Sequence, residues 1–150
     1  MVAGILLLSM LADHLRGQNP FRDDWSSFDG RKVRIVRVID GELIVVRGEL
    51  SEEVTTVRVL GVKSFAEPWD KNRADGVESE FAGEVVTLHL GMTKTRDDEG
   101  RLLADVMMED GKPMGAEFVK EELANVDRSS GSVFLSAIER ARGRKNSKGK

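Results

Sequence analysis

The stretch Lys32-Val33-Arg34-Ile35-Val36-Arg37-Val38-Ile39-Asp40-Gly41-Glu42-Leu43-Ile44-Val45-Val46 decides the architecture. Branched residues dominate Val33 to Ile39 and again Leu43 to Val46, the composition of two strands. Asp40-Gly41 between them predicts a tight hairpin, because Asp bonds its own backbone and Gly tolerates positive φ. A polar connection over 48–53 then leads to a third apolar run, Val54 to Val62, so three strands follow one another as a meander.

Downstream, residues 63–75 read as irregular, with Pro68 and Trp69, and Val77 to Ala82 as a short helix. Val85 to Leu90 alternates as a fourth strand, and Leu102 to Met108 forms a fifth after the charged loop 91–100. Pro113 opens a helix, where its missing N–H costs nothing, with Met114, Phe118, Val119 and Leu123 as its apolar stripe. Ser132 caps a last helix with Phe134, Ala137, Ile138 and Ala141 on its inner face. The expected class is therefore α+β: a five-stranded OB-fold β-barrel, a short helix between strands three and four, and two C-terminal helices.

The chain has 150 residues, no cysteine and two histidines, His14 and His89. That length suits one domain with a real core. Disulfides and thiolate zinc sites are excluded, and so few histidines argue against a Ser-His-Asp triad or a histidine-rich metal site. The formal net charge of −3 hides an asymmetry. Arg140, Arg142, Arg144, Lys145, Lys148 and Lys150 stand in a segment without acids, which leaves 17 bases against 26 acids in residues 1–139, a net −9. Such a body is a poor general nucleic-acid binder, since most of that affinity comes from neutralising phosphates. The basic tail 140–150 is either the phosphate contact or a solvated helix end.

Residues 2–12 form an apolar run of eleven, too short for a bilayer, which needs roughly 20 residues. A signal, a fragment of an anchor or a packed helix would each fit, and the run tilts the expectation towards export or membrane proximity. Residues 13–31 read as a linker whose Trp25 and Phe28 pack on the domain edge. The expected organisation is 1–31 as apolar segment and linker, 32–144 as the barrel domain and 145–150 as a basic tail.

With strand order and motifs in hand, residues 32–144 resemble the staphylococcal nuclease (thermonuclease-like) family. The family's hairpin V-I-D-G-D-T appears as Val38-Ile39-Asp40-Gly41-Glu42-Leu43. Arg58 precedes Val59-Leu60-Gly61-Val62 as an arginine does on the family's third strand. The tyrosine-glycine-arginine motif of the fifth strand appears as Glu99-Gly100-Arg101, and the following turn and helix as Gly111-Lys112 to Phe118. In working members, acids hold one Ca²⁺ beside the scissile phosphate, a glutamate assists water attack and two arginines hold the phosphate. Hard cations take oxygen ligands, and guanidinium forks match phosphate oxygens.

Carried onto this chain, the resemblance assigns the two arginines to Arg58 and Arg101, and the metal-side acids to Glu42 and Asp40, the latter in support. It departs after the third strand, where V-D-T-P-E is replaced by Val62-Lys63-Ser64-Phe65-Ala66. Lys63 then stands in place of a carboxylate ligand and Ala66 in place of the general base, with Glu67 one position late as the substitute. Lysine for aspartate changes the local charge by two units against a divalent cation.

Three functions follow as expectations. The first is a barrel with a degenerate metal site that binds nucleic acid or protein, with Lys63 paired to Glu42. The second is a working Ca²⁺-dependent nuclease that uses Glu42, Glu67 and Asp40 in altered geometry. The third is a membrane-proximal scaffold whose basic tail touches lipid or nucleic acid. Partner contacts would run through Arg58, Arg101 and the tail 140–150. Glu67, Asp70 and Asp75 also read as ordinary solvated loop acids, His89 as a surface or edge residue, and Met107-Met108 as core filling. Asp97-Asp98-Glu99 lacks the ordered ligand spacing of an EF-hand.

Overall fold

The computed structural model describes residues 23–49, 51–65, 69 and 71–143. Five strands close into a barrel in the order β1-β2-β3-β6-β5, namely Lys32–Val38 (β1), Leu43–Gly48 (β2), Val54–Val59 (β3), Val85–Leu90 (β5) and Leu102–Met108 (β6). All pairs are antiparallel except β3 with β6, whose parallel ladder sets Arg58 beside Leu103. Two further strands, Val62–Ser64 (β4) and Ala124–Val126 (β7), form a separate two-stranded ribbon. The helices are Asp24–Phe28 (α1), Lys71–Phe81 (α2), Met114–Lys120 (α3) and Leu135–Gly143 (α4). The α+β barrel of OB type, with two C-terminal helices, is thus the architecture.

The barrel forms because inward positions alternate as apolar side chains. Val33, Ile35, Ile44, Val46, Val57, Val59, Val86, Leu88, Leu102, Ala104 and Val106 are all almost fully buried. Met114, Phe118 and Ile138 from α3 and α4 extend this core, as do Val77 and Phe81 from α2. Phe81 meets Phe118 edge-on at 5.5 Å and 83°, an arrangement worth roughly 0.5–1.5 kcal/mol beyond area burial.

Four expectations change. The third strand does not run from Val54 to Val62 but stops at Val59, because Gly61 sits at φ 87° and turns the chain into the ribbon. The helix between the third and fourth barrel strands begins at Lys71, so it has eleven residues rather than six, and Asp75 lies on it, paired with Lys71 at 2.5 Å. Proline and tryptophan upstream masked its polar first turns. Within the supposed linker, Asp24–Phe28 is a one-turn helix, capped by Asp23 accepting the Trp25 amide at 3.0 Å. It is tied to the β5–β6 loop, where Asp24 accepts from Arg96 Nη2 at 2.9 Å and Thr95 at 2.8 Å. Phe28 packs against the core, whereas Trp25 remains exposed. Residues 2–12 and 144–150 lie outside the described residues, and so do the signal, anchor and tail expectations that fall on them.

His89 stands half-buried on the outer face of β5, a strand paired on both sides in the closed barrel. It faces Asp105 across the β5–β6 ladder, and its ring lies 5.9 Å from that of Phe134. Asp105, 3% exposed, accepts the Ser132 hydroxyl and, at 3.1 Å, the Val133 amide. Ser132 also accepts the Phe134 amide at 3.1 Å, a turn resting on a buried acid just ahead of the helix, which begins at Leu135 and not directly after Ser132. Burial pushes the Asp105 carboxyl up, and the bonds from Ser132 and Val133 and the proximity of His89 offset this only in part.

The hairpin also differs in its reason. Gly41 is not at positive φ. A Cβ there would overlap the Leu123 carbonyl and crowd Ala124 at 3.1 Å. Glycine is required by close approach, not by turn geometry.

Two outcomes are expected in chemical denaturation. Gly41→Ala loses about 3 kcal/mol, the upper end for overpacking, because its obstacle is backbone. Asp105→Ala loses about 1–3 kcal/mol, the desolvation cost of the Ser132 and Val133 donors left unpaired.

Candidate functional site

The turn between β1 and β2 places the first acid. Asp40 Oδ1 accepts the Glu42 amide at 2.8 Å and the Leu43 amide at 2.9 Å, an Asx turn that uses this oxygen on backbone. The Gly41 amide donates to Ser64 Oγ at 3.1 Å, which pins the turn to the β4–β7 ribbon. Glu42 is thereby held next to β3, where the Val59 amide donates to its carbonyl at 2.7 Å.

Val57 and Val59 point into the barrel, so Arg58 between them stands on the outer wall. Its Nε lies 3.4 Å from Glu42 Oε2. The approach is an ion pair without hydrogen-bond alignment, because Glu42 Oε2 is buried and has no hydrogen-bond partner. Arg101 enters the same patch from the residue before β6. The pairing of β3 with β6 brings it there, with Val57 opposite Leu102.

Arg101 is held by a second turn. Asp97 Oδ1 accepts the Glu99 amide at 3.0 Å and the Arg101 amide at 2.9 Å, and Gly100 completes the turn at φ 78°. Asp97 Oδ2 then takes Arg101 Nε at 2.6 Å, while Glu99 stands 3.4 Å from Nη1. Burial alone would raise the Asp97 carboxyl, but the side-chain and backbone hydrogen bonds from Arg101 outweigh it and hold the group below its ordinary range. The Asp97 hydrogen bond raises Arg101 further, with the fields of Glu99 and Glu42 in support.

Glu42, Arg58 and Arg101 are therefore brought into one patch. Asp97 and Glu99 join them, and sequence reasoning had not counted them as partners. The signal was the spacing Asp97-x-x-Gly100-Arg101, an Asx turn that returns the acid to the arginine. Two guanidinium groups face three carboxylates, so the patch carries excess negative charge. Lys63 does not pair with Glu42. It is exposed on β4 opposite Asn125, and the turn at Gly61 directs this strand to β7 instead of along β3. Ala66 and Glu67 lie outside the described residues.

For a divalent cation, the buried donor the described patch offers is the orphaned Glu42 Oε2, and an arginine lies 3.4 Å from it. Asp40 Oδ1 and the Ser64 hydroxyl are already used by backbone amides. Ca²⁺ takes roughly six to eight oxygens. The described residues do not fit it. Searches against protein-family models and curated proteins find no match to this chain.

Because Asp97 is depressed in the folded state, its contribution to stability is present above the ordinary carboxylate value of 3.8 and is lost as pH falls below it. Asp97→Asn keeps the amide-accepting oxygen and removes the charge. Its stability deficit, read from urea midpoints across pH, should be full near neutrality and vanish in acid.

Proposed function

We propose that this chain is a thermonuclease-like barrel without metal-dependent hydrolysis that serves as a binding module for protein. One observation carries the proposal: the arginines that would receive a phosphate are closed on the chain's own carboxylates. A phosphate approaching Arg101 must displace Asp97 from a 2.6 Å pair. Such a charge-assisted bond is worth about 1.5–3 kcal/mol, and the phosphate would enter a patch of net negative charge.

Support for a protein partner comes from the charge of the chain as well. Outside residues 140–150 the net charge is −9, which repels a long polyanion. The expected outcome is that Ca²⁺ gives no calorimetric heat above dilution and no cleavage of single-stranded DNA at high protein concentration. Micromolar Ca²⁺ binding coupled to cleavage that Arg101→Ala abolishes would overturn the proposal.

A second function, nucleic-acid contact without hydrolysis, is favoured by Arg58. It is a third exposed and only loosely paired, so it can turn towards a phosphate. In that case a labelled oligonucleotide binds with salt-dependent affinity that weakens in Arg58→Ala and in a chain ending at Gly143.

A further inference from the structure

On the other side of the β4–β7 ribbon lies an open groove of about 720 Å³, within the size range of ligand sites. β7 forms its floor through Ala124, Asn125 and Val126. Arg73 of α2, Lys120 of α3 and Arg142 of α4 line it, with Glu122 as the single acid among the described lining residues. Three helices thus deliver cations to one concavity of net charge +2 in a body that is otherwise acidic. Phe65, directly after β4 and 40% exposed, adds an apolar contact at the rim.

Two of the cations are fixed by the fold. The Arg73 guanidinium lies 5.8 Å from the centroid of the Trp69 ring and donates to the Glu122 carbonyl, which ties α2 to the turn that leads into β7. Lys120 pairs with Glu117 at 3.7 Å across one helical turn and keeps most of its side chain in solvent. Arg142 is exposed near the end of α4. The groove plays no part in the patch around Glu42, Arg58 and Arg101.

We propose that this groove docks an acidic segment of a partner protein, one that sets carboxylates on Lys120 and Arg142 and an apolar side chain on Phe65. Charge complementarity selects an anionic occupant. The groove favours a peptide over a polynucleotide for two reasons. Phe65 is the one ring among the described residues that line it, where sequence-tolerant strand binding uses successive rings. The Asn125 side chain, the exposed position of β7, offers both a donor and an acceptor to a peptide backbone. The inference rests on the protein-binding function proposed above and names its surface.

The test uses the full chain and a fluorescein-labelled peptide of alternating Glu and Leu, with a peptide of Lys and Leu as control. Fluorescence anisotropy should show saturable binding of the acidic peptide that weakens with salt, and none of the basic one. Lys120→Gln with Arg142→Gln removes two positive charges and should reduce affinity at least tenfold, whereas Lys94→Gln in the β5–β6 loop should not. Phe65→Ser should reduce affinity at unchanged salt dependence. Thermal melts establish that each variant is folded. Absence of saturable binding, or equal affinity in the double variant, overturns the groove. Tighter binding of oligo-dT that the same double variant abolishes also overturns it, in favour of nucleic acid. Ca²⁺-coupled cleavage would remove the function proposed above, while loss of peptide binding without cleavage would remove the groove alone.

Discussion

The seating of Gly41 against the Leu123 carbonyl is the contact on which the rest of the site depends. It requires that residue 41 lack a Cβ, and the hydrogen bond from its amide to Ser64 fixes the hairpin to the β4–β7 ribbon. The Asp40 turn then has one orientation, Glu42 has one neighbour on β3, and the ribbon has one position against α3. This contact adds to the shared apolar core, in which Met114, Phe118 and Ile138 already pack on the barrel. Close-packed interiors transmit such constraints, because no slack exists to absorb a displaced backbone.

Electrostatics follow from that placement. Glu42 is brought to Arg58 with a buried oxygen that no donor satisfies, and Arg101 is drawn to Asp97 by a turn made within its own loop. Each arginine therefore has a protein partner before any ligand arrives. Charge of the opposite sense collects elsewhere, in the groove behind the ribbon, where helices from three parts of the chain each contribute one cation. The same barrel thus has an acidic patch where the resemblance expects anion binding and a basic groove where it implies nothing.

Much of the fold was legible from alternation and turn residues. β1, β2, β5 and β6 follow from apolar residues that recur at alternate positions, and α3 follows from Pro113 and the apolar stripe after it. The break at Gly61 was not, since Val59-Leu60-Gly61-Val62 is locally a good strand and only the pairing of Val62–Ser64 with Ala124–Val126 ends it. The first turns of α2 were hidden because Lys71 to Gly76 is polar, with Val77 and Phe81 as its buried contacts. In the site, Arg58, Arg101, Glu42 and Asp40 were legible as types at motif positions. The pairing of Lys63 with Glu42 was not realised, because which way a strand departs from a barrel depends on what it pairs with.

Local composition by itself determined the four barrel strands β1, β2, β5 and β6, the hairpin, the start of α3 and the unbalanced charge, because alternation, proline and glycine act over a few residues. Tertiary structure alone decided that Glu42 and Arg58 meet Arg101 in one patch, and that Asp105 is buried beneath the start of α4. It also decided that Arg73, Lys120 and Arg142 share one groove. Those outcomes depend on contacts between residues far apart in the chain, or on the burial such contacts produce. Burial and charge are properties of the assembled neighbourhood, and no run of sequence carries them.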